Sequence, residues 1–138
     1  SGFVADFIGI NNLIPGRIEE QMNPDGLVRV KTDVGLFLSE CDPRLAVGDE
    51  CTLCVRPETA SIGTRVDERD GLNHMAGTVG FASFIGSTTR YDIDVGGSIT
   101  FRVDVHNPRD HDPYGPGEQV HVSFSPRTAL AIPTTKQD

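Results

Sequence analysis

Phe7-Ile8-Gly9-Ile10-Asn11-Asn12 returns 77 positions later as Phe84-Ile85-Gly86-Ser87-Thr88-Thr89, and each copy opens a run of alternating apolar residues. Outward from these phrases, further echoes keep the same order. Gly26 before Val28-Arg29-Val30 answers Gly97 before Phe101-Arg102-Val103, and Val47-Gly48-Asp49-Glu50 answers Pro116-Gly117-Glu118. The strands after these turns end in Arg56-Pro57 and Ser125-Pro126. Ordered self-similarity of this kind implies a duplicated supersecondary unit, with half repeats at about 7–62 and 76–132 and a polar connector over 63–75. A duplicated β unit without a catalytic signature points to binding or regulation, since function resides in sites and not in folds.

The local patterns agree with strands. Ile14 to Gln21 reads as a first strand, and Asn23-Pro24-Asp25-Gly26 is a turn in which Pro presets φ and Gly accepts the left-handed position. Leu36-Phe37-Leu38 is a continuous apolar run, expected to be covered on both sides. The sharpest prediction concerns the hairpin of Tyr91, Ile93 and Val95 with Ile99, Phe101 and Val103. A two-residue loop would set Asp94 beside Ile99 and mix the faces. A three-residue loop, Gly96-Gly97-Ser98, pairs Val95 with Ile99 and Ile93 with Phe101, and sets Asp92 opposite Arg102 on the wet side. Val120, Val122 and Phe124 supply the last inward row before Pro126 stops the ladder. Two apolar rows per half must close on one another, which favours an all-β small barrel or a sandwich of curled sheets. Only Phe3 to Ile8 reads as helix, the expected tail of an upstream element.

Composition narrows the function. The chain has 138 residues, a net charge of −8, 12 basic residues and no Trp. Nucleic-acid binding rests on Lys and Arg clusters and stacking aromatics, so no nucleic-acid partner is expected. Cys41, Cys51 and Cys54 are odd in number and read as free thiols. Cys51 and Cys54 lie three apart on a strand, so they face opposite sides and do not form a metal pair.

Catalytic chemistry is sought without success. Lys31-Thr32 lacks the preceding glycines of a phosphate-cradling loop, so nucleotide hydrolysis is expected to lie outside this chain. No Gly-x-Ser-x-Gly elbow appears. Asp104, His106, Asp110, His111 and Asp112 could bind a divalent ion, but they fall largely in a Pro-rich loop where polar residues are expected anyway. The expectation is no catalytic, cofactor or metal site. Arg56-Pro57-Glu58 is the sharpest polar feature, readable as a strand-end ion pair or as a contact with a partner domain.

These phrases carry a family resemblance. Phe3 to Asn12, including Phe7, Gly9 and Asn12, is similar to the junction where an importer ATPase domain passes into its C-terminal domain. Gly48-Asp49-Glu50 leading to Arg56-Pro57-Glu58 is similar to the next stretch of that domain. Phe84-Ile85-Gly86-Ser87, Thr89-Arg90-Tyr91, Gly117-Glu118 and Ser125-Pro126 resemble its second repeat and closing strand. The chain thus resembles the transport-associated OB (TOBE) domain of spermidine/putrescine-type and related bacterial ABC importer ATPases. Thr59 and Arg127 stand where that family commonly carries acidic residues.

The resemblance implies an OB-like barrel of two half repeats over 13–138, with residues 1–12 as the tail of a linker helix. It implies a non-catalytic regulatory and dimer-stabilising module, with ATP and Mg held by another domain and no cofactor here. Its partners would be the ATPase domain of the same subunit, a second copy in a homodimer, and indirectly the membrane permease. Its place would be cytoplasmic, peripheral to the inner membrane. Because related OB units bind oxyanions such as molybdate, a small-oxyanion module is the alternative, and it requires hydroxyls or amides converging near Ser87, Thr88 and Thr89.

Overall fold

A computed structural model describes residues 10–67, 70–106 and 113–134. The expected helix over Phe3–Ile8 lies outside the described residues, as do Phe7 and Gly9. Ten strands occupy the described chain: β1 (Asn12–Met22), β2 (Leu27–Thr32), β3 (Gly35–Cys41), β4 (Glu50–Val55), β5 (Ala60–Gly63), β6 (Asn73–Ile85), β7 (Thr88–Asp94), β8 (Thr100–His106), β9 (Gln119–Phe124) and β10 (Ala129–Pro133). Short 3-10 turns, Pro57–Thr59 and Pro126–Thr128, come after β4 and β9. In each turn Pro occupies the first helical turn, where its missing N–H costs no hydrogen bond.

The strands form two lobes, a closed barrel in the order β1-β2-β3-β10-β4 and a sheet in the order β5-β9-β6-β7-β8. The closing strands are exchanged. β5, from the first repeat, pairs with β9 of the second, and β10, from the second, pairs with β4 and β3 of the first. Neither repeat can complete its lobe alone.

Each repeat opens with one long, bent strand. β1 pairs with β4 over Asn12–Arg17 and with β2 over Gly16–Met22, with a bulge between Ile18 and Glu20. β6 repeats this with β9 and β7, with its bulge between Val79 and Phe81. Glycine sits at both changeovers for a steric reason. A Cβ on Gly16 would lie 2.6 Å from Val30 Cγ1 and 2.9 Å from the Lys31 carbonyl oxygen. On Gly77 it would lie 2.5 Å from Ile93 Cγ2 and 2.9 Å from the Asp94 carbonyl oxygen. Bulges and glycines at such bends allow a strand to serve two neighbours.

This geometry corrects the register of the echo. Phe84 and Ile85 end β6, and Gly86-Ser87 form its hairpin loop to β7, so Gly86 corresponds to the Gly26 turn and not to Gly9. Asn12 corresponds to Asn73, and Gly97 lies instead in the β7–β8 loop. The echoes of Gly48 with Gly117 and of Pro57 with Pro126 do coincide in the fold. Gly48 and Gly117 donate their N–H to the Ile18 and Val79 carbonyls, 2.8 and 2.7 Å away. Asn73, His74 and Met75, read as connector, already belong to β6.

Other local readings divide. The three-residue hairpin loop is found, with Ile93 opposite Phe101 and Asp92 opposite Arg102. Arg102 Nε donates to Asp92 Oδ1 at 3.1 Å. In β3, Phe37 is buried while Leu36 is 57% exposed, because the barrel covers only one face of that strand. Cys51 faces inward with Leu53 and Val55, and Cys54 faces outward.

One apolar interior joins the lobes. Phe37 of β3 meets Phe124 of β9 with ring centroids 5.3 Å apart, and Phe124 stacks on Phe101 of β8 at 5.9 Å. Each such pair adds roughly 1 kcal/mol beyond simple burial. Ile14, Leu53, Val55, Val79, Ile93 and Val103 fill the same fully buried cluster.

Candidate functional site

Asn12 and Asn73 carry reciprocal clamps between the repeats. Asn12 Nδ2 donates to the Arg102 carbonyl at 2.8 Å, and its Oδ1 accepts from the Arg102 N–H at 2.7 Å. Asn73 does the same to Leu38, with both bonds at 2.9 Å. An amide side chain carries one acceptor and one donor group, so it can stand in for the peptide of a neighbouring strand. Both residues are buried, and each reaches the third strand of the other repeat.

The Asn12 clamp floors a cleft of about 280 Å³. Ile10, Leu13 and Pro57 give it apolar walls, and Asp92, Thr100 and Arg102 give it a polar side. Here Asn12 and Pro57, marked in the sequence of the first repeat, meet the Asp92–Arg102 pair of the second. The Arg102–Asp92 pair continues into a second ion pair, in which Arg90 Nε and Nη2 donate to the two oxygens of Asp104 at 2.9 and 3.0 Å. Such forked guanidinium–carboxylate pairs fix the outer face of a sheet while leaving it hydrophilic. The cleft offers shape, apolar walls and fixed charges, and among the described residues that line it no nucleophile stands beside a base.

The remaining marked residues lie elsewhere. Arg56 and Glu58 are exposed and form no ion pair with each other; the Arg56 carbonyl instead accepts from the Thr59 N–H at 3.1 Å and hydroxyl at 2.7 Å. Phe84, Gly86 and Ser87 sit at the exposed tip of the β6–β7 hairpin. Thr89 and Tyr91 are core residues, and the Tyr91 hydroxyl accepts from the Tyr114 N–H at 3.3 Å. Gly117 and Pro126 shape the turns on either side of β9. Thr88 and Thr89 alternate across the sheet: Thr89 is buried, while Thr88 Oγ1 lies 3.3 Å from His106 Nδ1. Their hydroxyls therefore do not converge on an anion. Arg127 holds Glu40 at 3.0 Å and the Asp25 carbonyl at 3.1 Å, tying the second repeat's last turn to the first lobe.

The cysteines are unsuited to reaction. Burial pushes the Cys51 thiol up to about 11, with the neighbouring Cys41 thiol adding to the effect. Burial also raises Cys54, and it raises Cys41 together with the adjacent Asp42 carboxylate. Of the acidic and histidine cluster between Asp104 and Asp112, Asp104 is engaged by Arg90 and His106 by Thr88, and the rest lie outside the described residues. Among the described residues, no group of three His, Cys, Asp or Glu side chains is arranged to hold a metal ion. One polar group went unread in the sequence: His74 Nδ1 lies 2.9 Å from His121 Nε2, and His74 Nε2 lies 2.8 Å from Asp70 Oδ1. Its only sequence signal was a histidine on each of two strands, 47 residues apart.

The fold defines the class first: a duplicated OB-like β module whose two lobes exchange their closing strands. The chain belongs to the TOBE domain family, which matches residues 53–132. It is 33% identical over 136 residues to the spermidine/putrescine import ATP-binding protein PotA of Rubrobacter xylanophilus, covering 94% of this chain and 33% of that protein. It is also 33% identical over 132 residues to the Ruegeria pomeroyi protein of the same name, covering 94% of this chain and 34% of that one. The chain thus spans about a third of the length of the curated relatives it matches. Among solved structures, the cytoplasmic molybdate-binding protein ModG, in a molybdate-bound form, shares the fold with a TM-score of 0.79. Sequence identity there is 13%, with 89% of this chain and 96% of that chain covered. No helix among the described residues is long and apolar enough to cross a membrane.

Proposed function

We propose that this chain is the C-terminal regulatory and dimer-stabilising module of a cytoplasmic ABC importer ATPase subunit of the polyamine-uptake type. The observation that carries the reading is the alignment over 94% of this chain with about a third of two polyamine import ATP-binding proteins. The catalytic ATP and Mg site belongs to the remainder of such a subunit. Here two lobes interlock by exchanged strands, and the Ile10–Pro57–Arg102 cleft would offer a face to the ATPase domain or a second copy. A contact made in only one of the open and closed dimers shifts that equilibrium by its differential free energy, tenfold for about 1.4 kcal/mol. The test compares reconstituted importers with and without residues 10–134 of the subunit. Weakened subunit dimerisation and altered coupling of ATP turnover to spermidine uptake are expected. Unchanged dimerisation and coupling, or ATP hydrolysis by the isolated chain, would overturn the reading.

The alternative is a small-oxyanion module, to which the ModG fold lends support at the level of architecture alone. The divergent Thr88 and Thr89 hydroxyls favour the transport reading. Calorimetry with molybdate, tungstate and sulfate separates the two: saturable heat at one site per chain would reinstate the alternative.

A further inference from the structure

We propose that His74 and His121, oriented by Asp70, form a two-nitrogen site for a divalent transition metal of the Cu(II) or Ni(II) type. The two histidines are diagonal neighbours on β6 and β9, since His74 lies opposite Ser123 and Ala76 opposite His121. Their facing ring nitrogens, His74 Nδ1 and His121 Nε2, are 2.9 Å apart. Imidazole nitrogens bound about 2.0–2.1 Å from one metal are about 2.9 Å apart in adjacent square or octahedral positions, and about 3.3 Å apart at the tetrahedral angle. The observed spacing, set here by a hydrogen bond between the rings, is one that both nitrogens can keep about a single tetragonal ion.

Three further observations support a site over a simple strand-to-strand bond. The outer nitrogen of His74 is held by Asp70 Oδ1 at 2.8 Å, the carboxylate–histidine arrangement that fixes tautomer and ring orientation behind metal ligands. His74 Nε2 therefore keeps its proton, and its Nδ1 presents a lone pair toward His121. Second, the two rings lie side by side and partly buried, with centroids 4.9 Å apart and planes inclined by 31°, so packing already fixes their mutual orientation. Third, His121 also lines an open cleft of about 640 Å³ with Thr64, Thr78, Asp94 and Gln119, which leaves room for water in the remaining coordination positions.

The fold itself does not require this pair. The equivalent positions in the first repeat are Leu13 and Thr52, and there Thr52 bonds Thr134 at 3.2 Å. In the metal-free chain the one proton between the rings sits on His121 Nε2 and is donated to His74 Nδ1. On binding, that proton moves through solvent to His121 Nδ1, both facing lone pairs go to the metal, and no net proton is released. The bound ion then links β6 to β9 beside the exchanged strand β5.

The experiment titrates the whole chain with Cu(II), Ni(II) and Zn(II) by equilibrium dialysis, with the thermal midpoint followed in parallel. One Cu(II) per chain with micromolar affinity is expected, with a rise in midpoint and nitrogen hyperfine structure from two imidazoles in the electron paramagnetic resonance spectrum. H74Q and H121Q should each weaken binding at least tenfold, D70N should weaken it about 10–100-fold, and H106Q and H111Q should leave it unchanged. Far-UV circular dichroism confirms that each variant folds. If a variant does not fold, selective paramagnetic broadening of the His74 and His121 ring resonances in the unaltered chain gives the same answer. Absence of binding at these concentrations, or binding undiminished in folded H121Q, would overturn the proposal.

Discussion

Replacing Asn73 by Ala tests whether the reciprocal clamps join the lobes. The substitution removes two hydrogen bonds of 2.9 Å and strands the Leu38 N–H and C=O at a partly buried position. A net bond contributes about 1 kcal/mol, and a stranded group adds its desolvation, so the expected loss is about 2–3 kcal/mol. For 138 residues that corresponds to a midpoint lowered by about 7–10 °C. Urea unfolding should be followed by circular dichroism, which reads both lobes, and by tyrosine fluorescence. Both tyrosines, Tyr91 and Tyr114, lie in the second repeat and the chain has no Trp, so fluorescence reads that lobe. The two signals should stay coincident, because the Phe37–Phe124 contact still spans the lobes. Asn73→Asp keeps the acceptor but sets a buried carboxylate oxygen against the Leu38 carbonyl, so at neutral pH it should recover nothing. A shift below about 0.5 kcal/mol would show that water replaces the amide at no cost and that the clamp ties nothing.

Gly77→Ala should destabilise by about 1–3 kcal/mol in the same urea assay, because the added methyl meets Ile93 and the Asp94 backbone and cannot be relieved by a rotamer change. Ser39→Ala should be neutral or stabilising by about 1 kcal/mol, since the Ser39 hydroxyl is buried without a hydrogen-bond partner. Acidification below the ordinary histidine range should lower stability. The folded state lowers the proton affinity of His121, so the unfolded chain binds the extra proton first; midpoints measured against pH should fall through and below about 6.5, with a shallower slope in His121→Gln. Deleting residues 129–134 should abolish cooperative unfolding of the whole chain, because it removes the strand that closes the first barrel; a sharp, unshifted transition would refute the exchange of strands.

The β7–β8 hairpin was legible because alternation on both sides of Gly96-Gly97-Ser98 leaves only one register that keeps the apolar faces together. The paired Pro turns were legible for a similar reason, since Pro57 and Pro126 each end an inward-facing row. The strands beyond those turns were not legible. Ala60–Gly63 and Ala129–Pro133 are short and look alike, and nothing local tells a strand which lobe to join. The echo of Phe7–Asn12 with Phe84–Thr89 does not mark equivalent places: Phe84–Thr89 spans the tip of the β6–β7 hairpin, whereas Asn12 opens β1. Asn12 stands out in the sequence as a motif residue, but its role depends on Arg102, 90 residues away. The His74–His121 pair was invisible for the same reason, being made only by strand pairing.

The exchange also bears on how this module can meet a partner. The seam between β3 and β10 is paired, through Leu130 with Glu40 and Ala131 with Cys41, but the corresponding seam between β8 and β5 is not. An unpaired strand edge is ordinarily a template for an added strand. Here Arg102 of the β8 edge already spends both backbone groups on the Asn12 amide, and the Pro57–Thr59 turn packs against the same strand. Strand addition across Arg102 would have to displace both of these part-buried hydrogen bonds. Docking through side chains costs no such loss, and the Ile10–Pro57–Arg102 cleft over the clamp supplies both the apolar walls and the fixed charges for it. The side chain that closes the open edge therefore also shapes the surface on which a neighbouring domain can sit.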